Sequence, residues 1–203
     1  MKNWFGNLTV FGLALGLLAS ASAQEVGFEG PEPERTPGTL AILAAMQGRL
    51  SDQKDVWFEQ GDFPACLQVL KFEVEWRPWD YGRVTDLGWM YGNIERKDLE
   101  LATFNRFRAK FPNEPEAAYP EAEFYFRHRA YLPVVILLEP TIRLPKKPHA
   151  NSFRLLANAY DRIGMWPQSL RTWEEYLKLA PNDAAAIRNR DRVRQKIADS
   201  AKG

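Results

Sequence analysis

The chain has 203 residues, enough for one medium domain or a short array of repeats. Apolar residues make up 45% and aromatics 13%, which supplies a core and excludes global disorder. The formal net charge of +1 excludes a field strong enough to attract nucleic acid or an anionic membrane by charge alone.

The first residues read as a secretory signal. Lys2 is the single charge before Glu25, an apolar run follows from Leu8 to Leu18, and Ala21-Ser22-Ala23 fits a signal-peptidase site. Residues 1–23 are therefore expected to be a signal peptide and the protein to be exported, periplasmic or secreted. The apolar run is short for a membrane span, which needs about 20 residues, so no stable span is expected after cleavage. Residues 24–38, rich in Pro and Gly and net acidic, read as a flexible linker. Cys66 is the one cysteine, which rules out an intramolecular disulfide.

Thr36-Pro37 opens a helical stretch in which Leu40, Leu43, Met46 and Leu50 recur at helical spacing. Beyond it the chain repeats itself. Gly61–Pro78 (GDFPACLQVLKFEVEWRP) and Gly164–Pro181 (GMWPQSLRTWEEYLKLAP) share their length, their opening Gly, an aromatic–Pro pair and a closing Pro. They lie 103 residues apart, near three periods of 34. Pro78 and Pro112 are one such period apart, and the pair Pro145 and Pro148 brackets the next mark before Pro181. Four units follow, at about 47–80, 81–114, 115–149 and 150–183. A fixed period in this range marks stacked helical repeats.

Each unit reads as two helices. Phe153, Leu156, Ala157 and Tyr160 line one face of a first helix, and Val84, Leu87, Gly88 and Tyr91 repeat the spacing. Gly164 suits the end of the first helix and Pro167 the start of the second. Leu170, Trp173 and Leu177 form the second apolar stripe. After Pro181, Asn182-Asp183 can cap a last helix to about residue 198, whose arginine-rich outer face suits the end of a stack.

This arrangement resembles the tetratricopeptide repeat (TPR) family. The last unit matches it as Phe153, Leu156-Ala157, Tyr160, Gly164, Trp166, Ser169, Trp173, Tyr176 and Pro181. The second unit matches through Val84, Leu87-Gly88, Tyr91, Phe104, Phe107 and Pro112. It departs at Glu95 and Glu100, where the family has Gly and a small residue. The first unit keeps Gly61, Phe63, Cys66, Leu70 and Pro78. The third is weakest, with Ala122, Tyr125, Tyr131 and Val134, and Pro120 and Pro140 interrupt it. The resemblance implies an all-α, right-handed α-solenoid of about four helix pairs with a C-terminal capping helix.

Signatures of chemistry are sparse. Cys66 takes the repeat's small, buried position, and the histidines His128 and His149 form no zinc-ligand cluster with it. No P-loop, G-x-G-x-x-G or H-E-x-x-H is present. No catalytic residue, cofactor or metal is expected. The resemblance implies instead a non-enzymatic scaffold that binds another protein or peptide, and not nucleic acid, in an envelope or extracellular assembly. The alternative is a peptide- or glycan-binding adaptor serving an envelope enzyme.

In such arrays the first helices line a concave groove. Residues off the packing stripe there are Thr85, Trp89 and Asn93, then Tyr119, Glu123, Phe126 and Arg127, then Arg154, Asn158, Asp161 and Arg162. These are the candidate partner-binding residues. Some family members clamp a peptide's terminal carboxylate with a basic residue and an Asn one turn apart. Arg154 and Asn158 resemble that pair, whereas Thr85 and Trp89 occupy the equivalent place in the second unit.

Overall fold

The computed structural model describes residues 36–202. Among them lie nine helices and no strand: α1 (Pro37–Glu59), α2 (Phe63–Trp76), α3 (Tyr81–Asn93), α4 (Lys97–Lys110), α5 (Tyr119–Arg127), α6 (Tyr131–Thr141), α7 (Ala150–Arg162), α8 (Trp166–Leu179) and α9 (Ala184–Ser200). Consecutive helices pack against each other, giving four antiparallel pairs and a final single helix. This is a TPR-like α-solenoid with a capping helix. The signal-like segment and most of the Pro/Gly-rich stretch lie outside the described residues.

The repeat is written into the backbone at the turn inside each pair. Gly61, Glu95, Arg129 and Gly164 all adopt the left-handed conformation, with φ of 77°, 61°, 60° and 78°. The residue after each one donates its N–H back to an aromatic residue's carbonyl. Asp62 bonds to Trp57, Arg96 to Tyr91, Ala130 to Tyr125 and Met165 to Tyr160, at 2.8–2.9 Å. The left-handed residues themselves donate to Phe58, Gly92, Phe126 and Asp161. Such paired bonds satisfy carbonyls that the ending helix leaves open. Glu95 and Arg129 hold a conformation that costs a residue with a Cβ about 1 kcal/mol, and the four-fold periodicity shows that the turn, not the residue type, is retained.

The small position of the second helix repeats with the same period. Cys66, Glu100, Val134 and Ser169 are all buried. Cys66 donates its thiol to the Lys54 carbonyl at 3.4 Å, and burial pushes that thiol up. Ser169 donates to the Ala157 carbonyl at 2.8 Å. Phe104 occupies the space that Gly88 leaves on α3, where a Cβ would lie 2.2 Å from the ring.

The third pair is regular despite its prolines. Pro120 stands in the first turn of α5, where its missing N–H costs nothing, and Pro140 falls in the last turn of α6. The turn over 111–118 that leads into α5 is itself packed, with Glu114, Pro115, Glu116, Ala117 and Ala118 buried. Its Glu116 side chain accepts a hydrogen bond from the His149 backbone N–H at the start of α7.

Buried residues divide into three clusters. The largest runs through α5–α9, with Leu138, Leu156, Trp173 and Val193 at its centre. A second joins α2 to α3 around Cys66, Leu70 and Leu87. A third, with Val84, Phe104, Phe107 and Phe124, bridges α3, α4 and α5. α1 fully buries none of its residues. α9 ends the stack: Asp183 caps it by accepting from the N–H groups of Ala185 and Ala186, and the Tyr176 hydroxyl donates to Asp183 at 2.6 Å. Several basic residues of α9 are spent on ion pairs, Arg192 and Lys196 with Asp161 and Arg194 with Glu174.

Candidate partner-binding groove

Trp89 sits on the outer face of α3, opposite the buried Val84, Leu87, Gly88 and Tyr91. Helical periodicity therefore turns it away from the core, and it is 55% exposed. Its ring is not free to swing without loss, because Phe58 of α1 stands 5.8 Å away, centroid to centroid. Thr85, one turn earlier, returns its hydroxyl to the carbonyls of Tyr81 and Gly82. Asn93, one turn later, donates to the Trp89 carbonyl.

These three side chains form one wall of a groove of about 580 Å³. Glu123 and Arg127 of α5 face them, together with Pro120, and Phe104 and Glu100 of α4 lie at its base. The sequence reading thus brings Thr85, Trp89, Asn93, Glu123 and Arg127 to one place. It did not identify Asp86, Gly92, Glu100 or Phe104. Glu100 carried a signal all the same, as the one acidic residue where the repeat calls for a small one.

Glu100 fits there for a geometric reason. Gly92 faces it from α3, and a Cβ at Gly92 would come within 2.9 Å of the carboxylate. The space left open holds the charged head, and Arg127 donates to it from α5. A buried carboxylate needs such a partner, since its desolvation is otherwise uncompensated. A second pair crosses the same junction, where Arg108 of α4 meets the buried Glu121 of α5 at 2.6 Å. The meeting of the second and third helix pairs is therefore strongly polar.

The remaining candidates have other surroundings. Phe126 is half-buried against Tyr131, ring centroids 5.3 Å apart, and packs on the large core cluster. Asp161 is not free to line the groove, as the sequence reading expected. Its side chain is 8% exposed and held by Lys196 at 2.6 Å and Arg192 at 3.3 Å, long side chains that reach it from α9. Tyr119 is half-buried, and burial pushes its hydroxyl up to about 12, with Glu123, Arg154 and Glu116 in electrostatic reach. Arg154 lies over the Tyr176 ring at 6.0 Å, and Asn158 donates to the Arg154 carbonyl. Arg162 is exposed in the last turn of α7. Arg154, Asn158 and Arg162 thus make a separate polar patch on α7, outside the lining of the α3–α5 groove.

Nothing in this arrangement supplies a metal centre: among the described residues no group of three or more His, Cys, Asp or Glu side chains could hold an ion. Nor is any described helix long and apolar enough to cross a membrane.

No family model matches the chain, and no curated protein matches it. Solved structures do. A crystal structure of MamA protein aligns with a TM-score of 0.57 at 18% identity, covering 73% of this chain and 80% of that one. The MamA RS-1 ArsTM double mutant aligns with a TM-score of 0.59 at 16% identity, covering 75% and 85%. The first TPR of Spaghetti (RPAP3), bound to the HSP90 peptide SRMEEVD, aligns with a TM-score of 0.51 at 16% identity, covering 57% and 90%. At such identities the likeness is one of fold.

The expected periplasmic or secreted location is corrected by these matches. Likeness to MamA runs against that expectation. The signal-like run that prompted the expectation lies outside the described residues.

Proposed function

We propose that the protein is a non-enzymatic scaffold that holds a segment of a partner protein in the groove formed by α3, α4 and α5. The observation that carries this reading is Trp89, a large aromatic exposed in a concave site and steadied by Phe58. Aromatic side chains in such positions dominate binding energy at protein interfaces, because they bury much area at small entropic cost. Thr85, Asn93, Glu123 and Arg127 supply the polar rim that fixes a partner's register. Tyr119 on α5 and the separate patch of Arg154, Asn158 and Arg162 on α7 offer further contacts along the later first helices. A peptide-bound TPR of similar fold, the first of Spaghetti with its HSP90 peptide, supports a peptide-like segment as the occupant.

The test is site-directed photo-cross-linking in the native host. A benzophenone amino acid at Trp89 is expected to capture a specific partner. The same probe at Ile136, 64% exposed on the second helix of the third pair, is expected not to. Equal capture of that partner from both positions would overturn the groove assignment.

A further inference from the structure

The α3–α5 groove carries more negative charge than it neutralises. Four ionisable side chains line it: Asp86, Glu100, Glu123 and Arg127. Arg127 is committed to Glu100, so those two charges cancel. Asp86 and Glu123 remain, and among the described residues neither forms a hydrogen bond or an ion pair. Both side chains reach the exposed surface of the groove, and partial loss of water there pushes both carboxyls up. Lys54 and Arg83 near Asp86 and Arg127 near Glu123 act in the opposite sense, and burial outweighs them. A groove with two unpaired carboxylates beside an exposed tryptophan has a complement of definite chemistry. That complement is a cation with an apolar stem.

We infer that the groove takes a basic segment of its partner, with a lysine or arginine side chain that neutralises Asp86 and Glu123 and lays its stem on Trp89. This rests on the groove reading above and adds the sign of the partner's charge. The aromatic face attracts a cation through its quadrupole, and the gain grows as the cation leaves water. Opposite charge also steers encounter and excludes wrong partners. The sign is the reverse of what a terminal-carboxylate clamp requires, since an acidic peptide here would meet two carboxylates without a direct ion-pair partner. The basic residues that would suit such a peptide, Arg154 and Arg162, belong to the separate patch on α7.

A displayed library of random linear peptides, panned against the full chain, tests this. Enriched peptides are expected to carry lysine or arginine. Chemically synthesised representatives are expected to bind about tenfold more weakly to the D86N/E123Q variant, the sum of two partly exposed charge contacts. Binding should also weaken as salt rises. Circular dichroism of that variant is expected to match the wild type, which separates lost charge from lost fold. Enriched peptides without cationic residues, whose binding is lost in Trp89→Ala, would overturn the charge assignment and leave the groove standing. Failure of enrichment, or enriched peptides indifferent to Trp89→Ala, would overturn both.

Discussion

Arg127→Met is the perturbation that separates what the groove needs for folding from what it needs for binding. Arg127 donates to Glu100, which is 2% exposed and lies between α3 and α4 behind Gly92. Removing the guanidinium leaves a carboxylate with no water and no partner. Breaking a fully buried pair costs about 3–5 kcal/mol. Arg127 itself is 49% exposed, so water replaces part of what is lost. The expected cost is therefore nearer the lower end, about 2–3 kcal/mol. Glu100→Ala should behave differently, because Arg127 can return to solvent and the position regains the small residue found at Cys66 and Ser169. Its expected cost is about 1 kcal/mol, from lost packing. The double variant Glu100→Ala/Arg127→Met should then cost about as much as Glu100→Ala alone, a coupling of about 2 kcal/mol. Urea unfolding followed by circular dichroism measures all four corners of the cycle. If Arg127→Met lies within about 0.5 kcal/mol of wild type, or if the double variant equals the sum of the singles, Glu100 does not depend on Arg127 and the argument fails.

Further outcomes follow from single positions. Gly88→Ala should destabilise by about 2 kcal/mol, because its Cβ would stand 2.2 Å from the Phe104 ring. Gly48→Ala, in open space on α1, should stabilise by up to about 1 kcal/mol through helix propensity, and matching signs in thermal melts would contradict the packing argument. Glu95→Gly and Arg129→Gly should each raise stability by about 1 kcal/mol by relieving positive φ; unchanged denaturation midpoints would show that the turns carry no such cost. Hydrogen bonds from the Tyr176 hydroxyl and from the first N–H groups of α9 hold the Asp183 carboxyl below its ordinary value. The folded state therefore binds fewer protons there, and this stabilisation is present above about pH 4 and lost as pH falls through the lowered value. Asp183→Asn keeps a capping side chain but should flatten that acid limb, and an unaltered limb would assign it to other carboxylates. Trp89→Ala with Arg154→Ala should abolish partner capture while the circular dichroism spectrum stays helical; undiminished capture would exclude both residues from the binding face.

Much of the stack was legible because helix pairs repeat a physical requirement. Leu156, Ala157 and Tyr160 recur at the spacing of one helix face, and Pro181 stands where a helix must stop. The third pair was harder to read because Pro120 and Pro140 look like interruptions. A proline's effect depends on its place in the helix, and these two stand in a first and a last turn. Glu95 and Glu100 looked like losses of pattern for a related reason. The repeat constrains backbone conformation and available volume, and another residue can satisfy each. Trp89 was legible as a binding candidate because exposure opposite a core stripe follows from periodicity alone. The ion pairing that occupies Asp161 was not legible, since Arg192 and Lys196 lie on a different helix, 31 and 35 residues away.

The sequence by itself determined the helices, their pairing and the period of the stack, because these follow from local spacing of apolar, capping and helix-ending residues. Tertiary structure alone decided the charge of the groove. Whether Arg127 is available to a partner depends on Glu100 lying within reach, which depends on Gly92 leaving room for a carboxylate. Charges add along a chain without regard to position, but they cancel in pairs only across short distances. That is why a nearly neutral sequence can fold to present an acidic groove on α3–α5 and a basic patch on α7.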